Sequence, residues 1–231
     1  MTRTRTLTTT YAVLCAAALV LPAALAQADF IVRPVGGDNP DGLQWGGNDI
    51  TRTISGTSSG LSGDLETGDA LPATWPTHST NTGDVCGLNS AQYHPCCNWL
   101  QWDLGDVYEM TGFHLWNINN TPDYGFKDIT AHVSDNASDW STVSISPEDL
   151  AEASGLASYE GEDYAFDGTV SARYVKFHAF ETYKGPLSSN PWNGIAGVSE
   201  IRFTAVPEPA TMGLIVLGGV GLLLKRRRSR S

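Results

Sequence analysis

Positive charge is scarce in this chain. Fourteen Lys and Arg stand against 25 Asp and Glu, a net charge of −11 over 231 residues. Half of those cations sit at the extremities: Arg3 and Arg5 open the chain, and Lys225, Arg226, Arg227, Arg228 and Arg230 close it. The two ends hold a single acid, Glu208, so the interior carries seven cations against 24 acids, a net charge of about −17. A surface of that sign repels nucleic acid and anionic lipid headgroups, and suits a solvated extracellular protein. Catalytic signatures are missing too. There is no Gly-x-Ser-x-Gly, no His-Glu-x-x-His and no phosphate loop, and the five histidines are scattered. Acids are plentiful, but no motif singles out the carboxylate pair that glycoside hydrolysis requires. The interior also lacks helical periodicity and internal repeats.

Long apolar runs occur only near the ends. Tyr11 to Leu25 is almost wholly apolar, follows Arg3 and Arg5, and leads into Ala26-Gln27-Ala28. A positive start, a short apolar core and a small-x-small site make a secretory signal peptide, cut after Ala28. A retained anchor is the rival reading; the shortness of the run and Pro22 argue against it. At the other end every residue from Ala210 to Leu224 except Thr211 is apolar or glycine. At about 1.5 Å per residue such a helix barely crosses a hydrocarbon core of about 30 Å. Lys225 can snorkel and the arginines behind it stay on the cytoplasmic side. Ahead of the run, Val206-Pro207-Glu208-Pro209 resists helix and sheet alike and stays extended for a processing enzyme.

Cysteine is rare. Cys15 leaves with the signal peptide, and Cys86, Cys96 and Cys97 remain. In an oxidising compartment Cys86 pairs with Cys96 or Cys97, leaving one thiol over. A loop of that size stabilises by about 3 kcal/mol or somewhat less. Zinc bound through His94 and this Cys pair is the rival, disfavoured because zinc spacings run Cys-x2-4-Cys and recur in pairs.

About 180 residues remain between the processed ends, enough for one domain with a core. Residues 36–92 are rich in Gly, Ser, Thr, Asn and Asp and read as loops and short strands. Strand-like runs follow: Trp99 to Leu104, Thr111 to Trp116, Asp128 to Val133, Tyr174 to Phe180 and Val198 to Phe203. Their period of two, with turns between, predicts an antiparallel sandwich or barrel. Ser146 to Ser154 (SPEDLAEAS) reads as a brief helix, with Ser146 as N-cap and Pro147 at the first helical position.

Two resemblances stand on these residues. VPEP, a short apolar helix and KRRR, in that order at the C-terminus, resemble the PEP-CTERM sorting signal over about the last 26 residues. The resemblance implies a Gram-negative bacterium that makes extracellular polymeric substance. It also implies export by the Sec machinery and an exosortase that cleaves near Val206, Pro207, Glu208 and Pro209, releasing the substrate or transferring it to the cell surface. The second covers Trp99 to Phe203. LQWDLGDVYEMTGFHLWNIN, KDITAHVSDNASDW, ARYVKFHAF and GIAGVSEIRF resemble, in order, segments of the discoidin or F5/8 type C domain. That family implies an eight-stranded jelly-roll β-sandwich without catalytic activity, binding glycans, lipids or proteins through loops at one end. The organisation expected is therefore a signal peptide over 1–28, an all-β discoidin-like domain over 29–205 and the sorting signal over 206–231.

A sugar offers a flat C–H face and a rim of hydroxyls, so its site needs a ring beside polar groups. Three loops qualify. Leu71 to His78 has Trp75 and His78, Trp116 to Tyr124 has Asn117, Asn119 and Asn120, and Ser188 to Gly194 has Trp192. Trp102, Trp116 and Trp140 lie on strands or their ends and read as core. The resemblance also implies one structural calcium held by backbone carbonyls, an aspartate and a glutamate of the last strand. Glu200 stands where that glutamate does, with Asp69 as partner; Asp38 to Gly42 is another oxygen-rich loop. The expectation is an exported, non-catalytic binding module for extracellular carbohydrate, anchored in the inner membrane before processing. A matrix protein with no specific ligand and, further off, a carbohydrate-active enzyme are the competing classes.

Overall fold

The computed structural model describes residues 28–38, 50–80, 86–89, 99–187 and 195–207, with the backbone alone for 52, 57, 59, 86–89 and 195. Within them are ten strands: β1 (Phe30–Val32), β2 (Gly36–Asp38), β3 (Cys86–Asn89), β4 (Trp99–Asn117), β5 (Phe126–Ser134), β6 (Ser141–Val143), β7 (Ile145–Ser146), β8 (Glu162–Thr182), β9 (Gly185–Pro186) and β10 (Ile195–Val206). Every pairing is antiparallel, in the order β1-β10-β4-β8-β5-β6. β2 joins β4, β3 joins β10, and β7 and β9 join β8.

Two strands run through both layers of the sandwich. β4 and β8 are 19 and 21 residues long, and their mutual register shifts between Asp103 and Tyr108. Gly105, at φ +86°, lies in that break, in a backbone region that L side chains rarely adopt. Before the break β4 pairs with β2 and with the second half of β8; after it, with β10 and the first half of β8. Trp102 and Phe177 thus face inward from one layer, Phe113 and Phe203 from the other. The Trp102 ring centroid is 5.0 Å from Phe177 and 6.2 Å from Phe203, and Phe113 is 4.9 Å from Phe177. All four residues are at most 1 % exposed. Trp102 also donates from Nε1 to Thr53 Oγ1 at 2.7 Å, which ties the 3-10 turn Ile50–Ile54 to the core.

All five expected strands are present. The first two are halves of the single bent strand β4. The expected helix is not formed: Pro147 to Ser154 is irregular. A helix of so few residues is marginal without packing along a face, and here one side chain, Leu150, is fully buried as an anchor. The backbone polar groups around it are satisfied from outside, Leu150 N by Lys127 O at 2.9 Å and Ala151 N by Tyr164 Oη at 2.7 Å. Trp102 and Trp116 are core, at 0 % exposure. Trp140 is only half-buried: it lies on an outer sheet face with Lys176 Nζ 3.8 Å from its ring centroid, a cation–π contact.

One face of the β10 layer is not open to solvent. Residues 50–80 fold across it and bury Ile31, Leu61, Leu65, Trp116, Ala153 and Tyr159 as a second, smaller core. β1 and β10 lie side by side, with Phe30 opposite Ala205. The start of the domain and its exit into Pro207 therefore sit at one edge of the sheet.

Candidate functional site

The covering segment stops short of one part of the sheet and leaves a cavity of about 420 Å³. Its floor is a row of small residues across three strands. Gly112 on β4 lies between Thr204 on β10 and Ala165 on β8. Position 112 admits no side chain, because a Cβ there would come within 2.1 Å of the Tyr164 carbonyl oxygen. Leu71, Pro72 and Trp75 form one wall, and Asp163 is among the lining residues, with hydroxyls at Thr111, Ser146 and Thr204.

Trp75 is held by its neighbours. Its ring stacks on the His114 imidazole at 3.8 Å and 16°, and meets Trp116 edge-on at 5.6 Å. His114 is almost wholly buried and fixed at both nitrogens. Nδ1 lies 2.7 Å from Asp163 Oδ1, and Nε2 lies 2.7 Å from the Glu160 carbonyl. The second contact depends on Gly161, where a Cβ would stand 2.5 Å from Nε2. A carbonyl only accepts, so Nε2 is the donor in that contact. The His114 hydrogen bond holds the Asp163 carboxyl below its ordinary 3.8, against some desolvation, and the Trp75 hydrogen bond adds to it. The Asp163 side chain stays 72 % exposed. The result is an ionised acceptor and a fixed ring beside a floor of small residues, a set that suits a ligand with a flat apolar face and hydroxyls.

Of the residues expected to bind, Trp75 alone lines this trough among those described. Asn117 and Asn119 are each 1 % exposed and clamp the protein's own loops. Asn117 Nδ2 donates to Phe126 O at 2.7 Å and Ala151 O at 2.9 Å. Asn119 Nδ2 donates to Leu156 O at 2.8 Å and His78 O at 3.0 Å, and its Oδ1 accepts from Gly155 N at 2.9 Å. His78 is 1 % exposed, and its backbone N–H bonds Tyr159 O at 2.7 Å. The sequence reading has these three facing a sugar; the structure has them joining loops. Asn120 is half-buried beside Thr121, whose Oγ1 donates to its Oδ1 at 3.2 Å. Trp192 lies outside the described residues, as do His94, Cys96 and Cys97, and Cys86 is described by its backbone in β3. Asp163 was not singled out from sequence. The alternation of Asp163-Tyr164-Ala165-Phe166 is the signal that marks it, since it turns Asp163 and Ala165 outward.

Asp69 and Glu200 do not fit a shared calcium. Asp69 Oδ2 accepts from Glu66 N at 2.8 Å within an exposed turn. Glu200 is fully buried and paired with Arg202. Among the described residues no three His, Cys, Asp or Glu gather to hold a metal ion.

The F5/8 type C domain profile matches residues 65–201, and the PEP-CTERM protein-sorting motif matches residues 205–228. No curated protein matches the chain. Among solved structures, one similar chain is the family 32 carbohydrate-binding module of C. perfringens NanJ in complex with galactose. It is 12 % identical, with 77 % of this chain and 99 % of that chain covered at a TM-score of 0.46. Another is CBM32 of AlyQ in complex with 4,5-unsaturated mannuronic acid, at 14 %, 77 %, 98 % and 0.43. A third is CpGH89CBM32-5 from Clostridium perfringens in complex with GalNAc-β-1,3-galactose, at 14 %, 76 %, 92 % and 0.42. With the profile spanning more than half of its length and the sorting motif beginning at the end of β10, the chain belongs to the F5/8 type C, or discoidin, domain family and carries a PEP-CTERM sorting signal.

Proposed function

We propose that this exported module binds carbohydrate of the extracellular matrix or cell envelope in the trough lined by Trp75 and Asp163. The observation that carries this reading is the pairing of a fixed indole with an exposed, ionised carboxylate over a floor of Gly112, Ala165 and Thr204. Hydroxyls donate to a carboxylate, and sugar C–H faces lie against an indole. Among the described residues Asp163 is the sole carboxylate lining the trough, whereas hydrolysis of a glycosidic bond calls on two. That supports binding over catalysis. The sorting signal supports an inner-membrane intermediate, exosortase processing and a final place at the cell surface.

A glycan array on the purified protein, run beside two variants, tests this. Ala165→Phe fills the trough from an exposed position. Asp163→Asn keeps an acceptor for His114 and Trp75 but removes the charge. Retention of a glycan by the parent, abolished in the first variant at unchanged melting temperature and weakened in the second, is the expected result. Retention of no glycan, or equal binding by all three proteins, refutes it.

A further inference from the structure

Glu200 and Arg202 stand two residues apart on β10, on the face that residues 50–80 cover, and both side chains are 0 % exposed. Arg202 Nη1 donates to Glu200 Oε1 and, at 2.7 Å, to the Ile201 carbonyl. Its Nε donates to the Leu65 carbonyl at 2.9 Å. Gly56 N donates to the same Glu200 oxygen at 3.2 Å. Gly56 and Leu65 lie on the covering segment, so one buried ion pair fastens that segment to the sheet at two points.

We infer that the Arg202 guanidinium stands in for a structural calcium ion, so that this module's fold is independent of calcium. A bound calcium gathers carboxylate and backbone carbonyl oxygens around a positive centre. Arg202 gathers the same oxygen types, one carboxylate and two carbonyls, through N–H donors in a rigid fork. Charge decides between the two cations. Glu200 brings one negative charge and Arg202 one positive, so the buried pair is neutral without a metal ion. A second guanidinium reinforces the argument. Arg33, just past β1, donates from Nε to the Ile54 carbonyl at 2.6 Å and pairs through Nη1 with Glu66, fastening the same segment. The carboxylate of Asp69, expected to ligate calcium, instead closes its own turn on Glu66 N.

Thermal melts of the full chain test the inference. In buffer with millimolar calcium and in buffer with chelator, the parent protein is expected to melt at the same temperature. A melting temperature that rises with calcium overturns the inference, wherever the ion binds. The second arm replaces the guanidinium. Arg202→Met leaves Glu200 buried with its charge unmatched, and Arg202→Lys keeps the charge but loses the fork. Both are expected to melt several degrees lower than the parent, Met further than Lys. Unchanged melting in both variants shows that Arg202 fastens nothing, and overturns the inference. If Arg202→Met yields no folded protein, the Lys variant and the calcium arm decide.

Discussion

Asn119→Ala is the sharpest test of how the loops are held. From sequence Asn119 is an exposed amide at the end of a strand, and its removal should be nearly silent, within about 0.5 kcal/mol. In the structure it is 1 % exposed and joins three stretches of chain. Its Nδ2 donates to Leu156 O at 2.8 Å and His78 O at 3.0 Å, with Ser79 O at 3.3 Å, and its Oδ1 accepts from Gly155 N at 2.9 Å. An amide nitrogen has two protons, so at most two of the three carbonyl contacts are full bonds at once, and the alanine variant loses three good hydrogen bonds. At about 1 kcal/mol each the loss is about 3 kcal/mol, rising toward 5 if the abandoned groups find no water. For a domain of this size that lowers the melting temperature by about 6–12 °C. Asn120→Ala is the control, since Asn120 is half-buried and its Oδ1 accepts from its sequence neighbour Thr121. Thermal and urea melts followed by circular dichroism measure both. If Asn119→Ala melts within about 2 °C of the parent, the clamp reading fails and the amide is free for a ligand.

Trp75→Ala is expected to weaken glycan binding and to destabilise the fold together, by about 1–3 kcal/mol, because its ring lies between His114 and Trp116; a melt at the parent's temperature refutes the packing. The carboxyl of Asp163 is depressed by the His114 hydrogen bond, so its contribution is present above pH 3.8 and lost as pH falls through its still lower folded value. Carboxyl titration by NMR is expected to find it below 3.8, and a value at or above that sinks the pairing. Protein recovered from the surface of its own host is expected to end near Pro209; an intact mass that still includes Arg230 and Ser231 refutes processing.

The strands were legible because burial and pleat leave one mark, a period of two. Phe113, Leu115, Val175, Phe177, Ile201 and Phe203 all point to the core as that pattern requires. The same pattern misleads on the other face. Glu200 and Arg202 alternate with apolar neighbours as exposed residues would, yet both are fully buried because residues 50–80 close over them. That segment is poor in periodicity, and its path is set by side chains far away in sequence: Arg33 on Ile54, Arg202 on Leu65, and Trp102 on Thr53. The site was hidden for a related reason. An asparagine at a strand end looks alike from sequence whether it meets a sugar or a carbonyl 37 residues away, as Asn119 meets Leu156.

β10 joins the parts of this protein to one another. Ile201 and Phe203 fill the core, Glu200 and Arg202 fix the covering segment, and Thr204 floors the trough. Two residues later Val206 still pairs with Glu109, and only then comes Pro207, which has no N–H to extend a ladder. At about 3.3 Å per residue, Thr204 and Pro207 are about 10 Å apart along the strand. The trough and the sorting motif are thus nearly contiguous. A cut anywhere beyond Val206 breaks no pair of the β1–β10 or β10–β4 ladders, which end at Ala205 and Val206. Removal of the tail is therefore expected to leave the trough's shape unchanged.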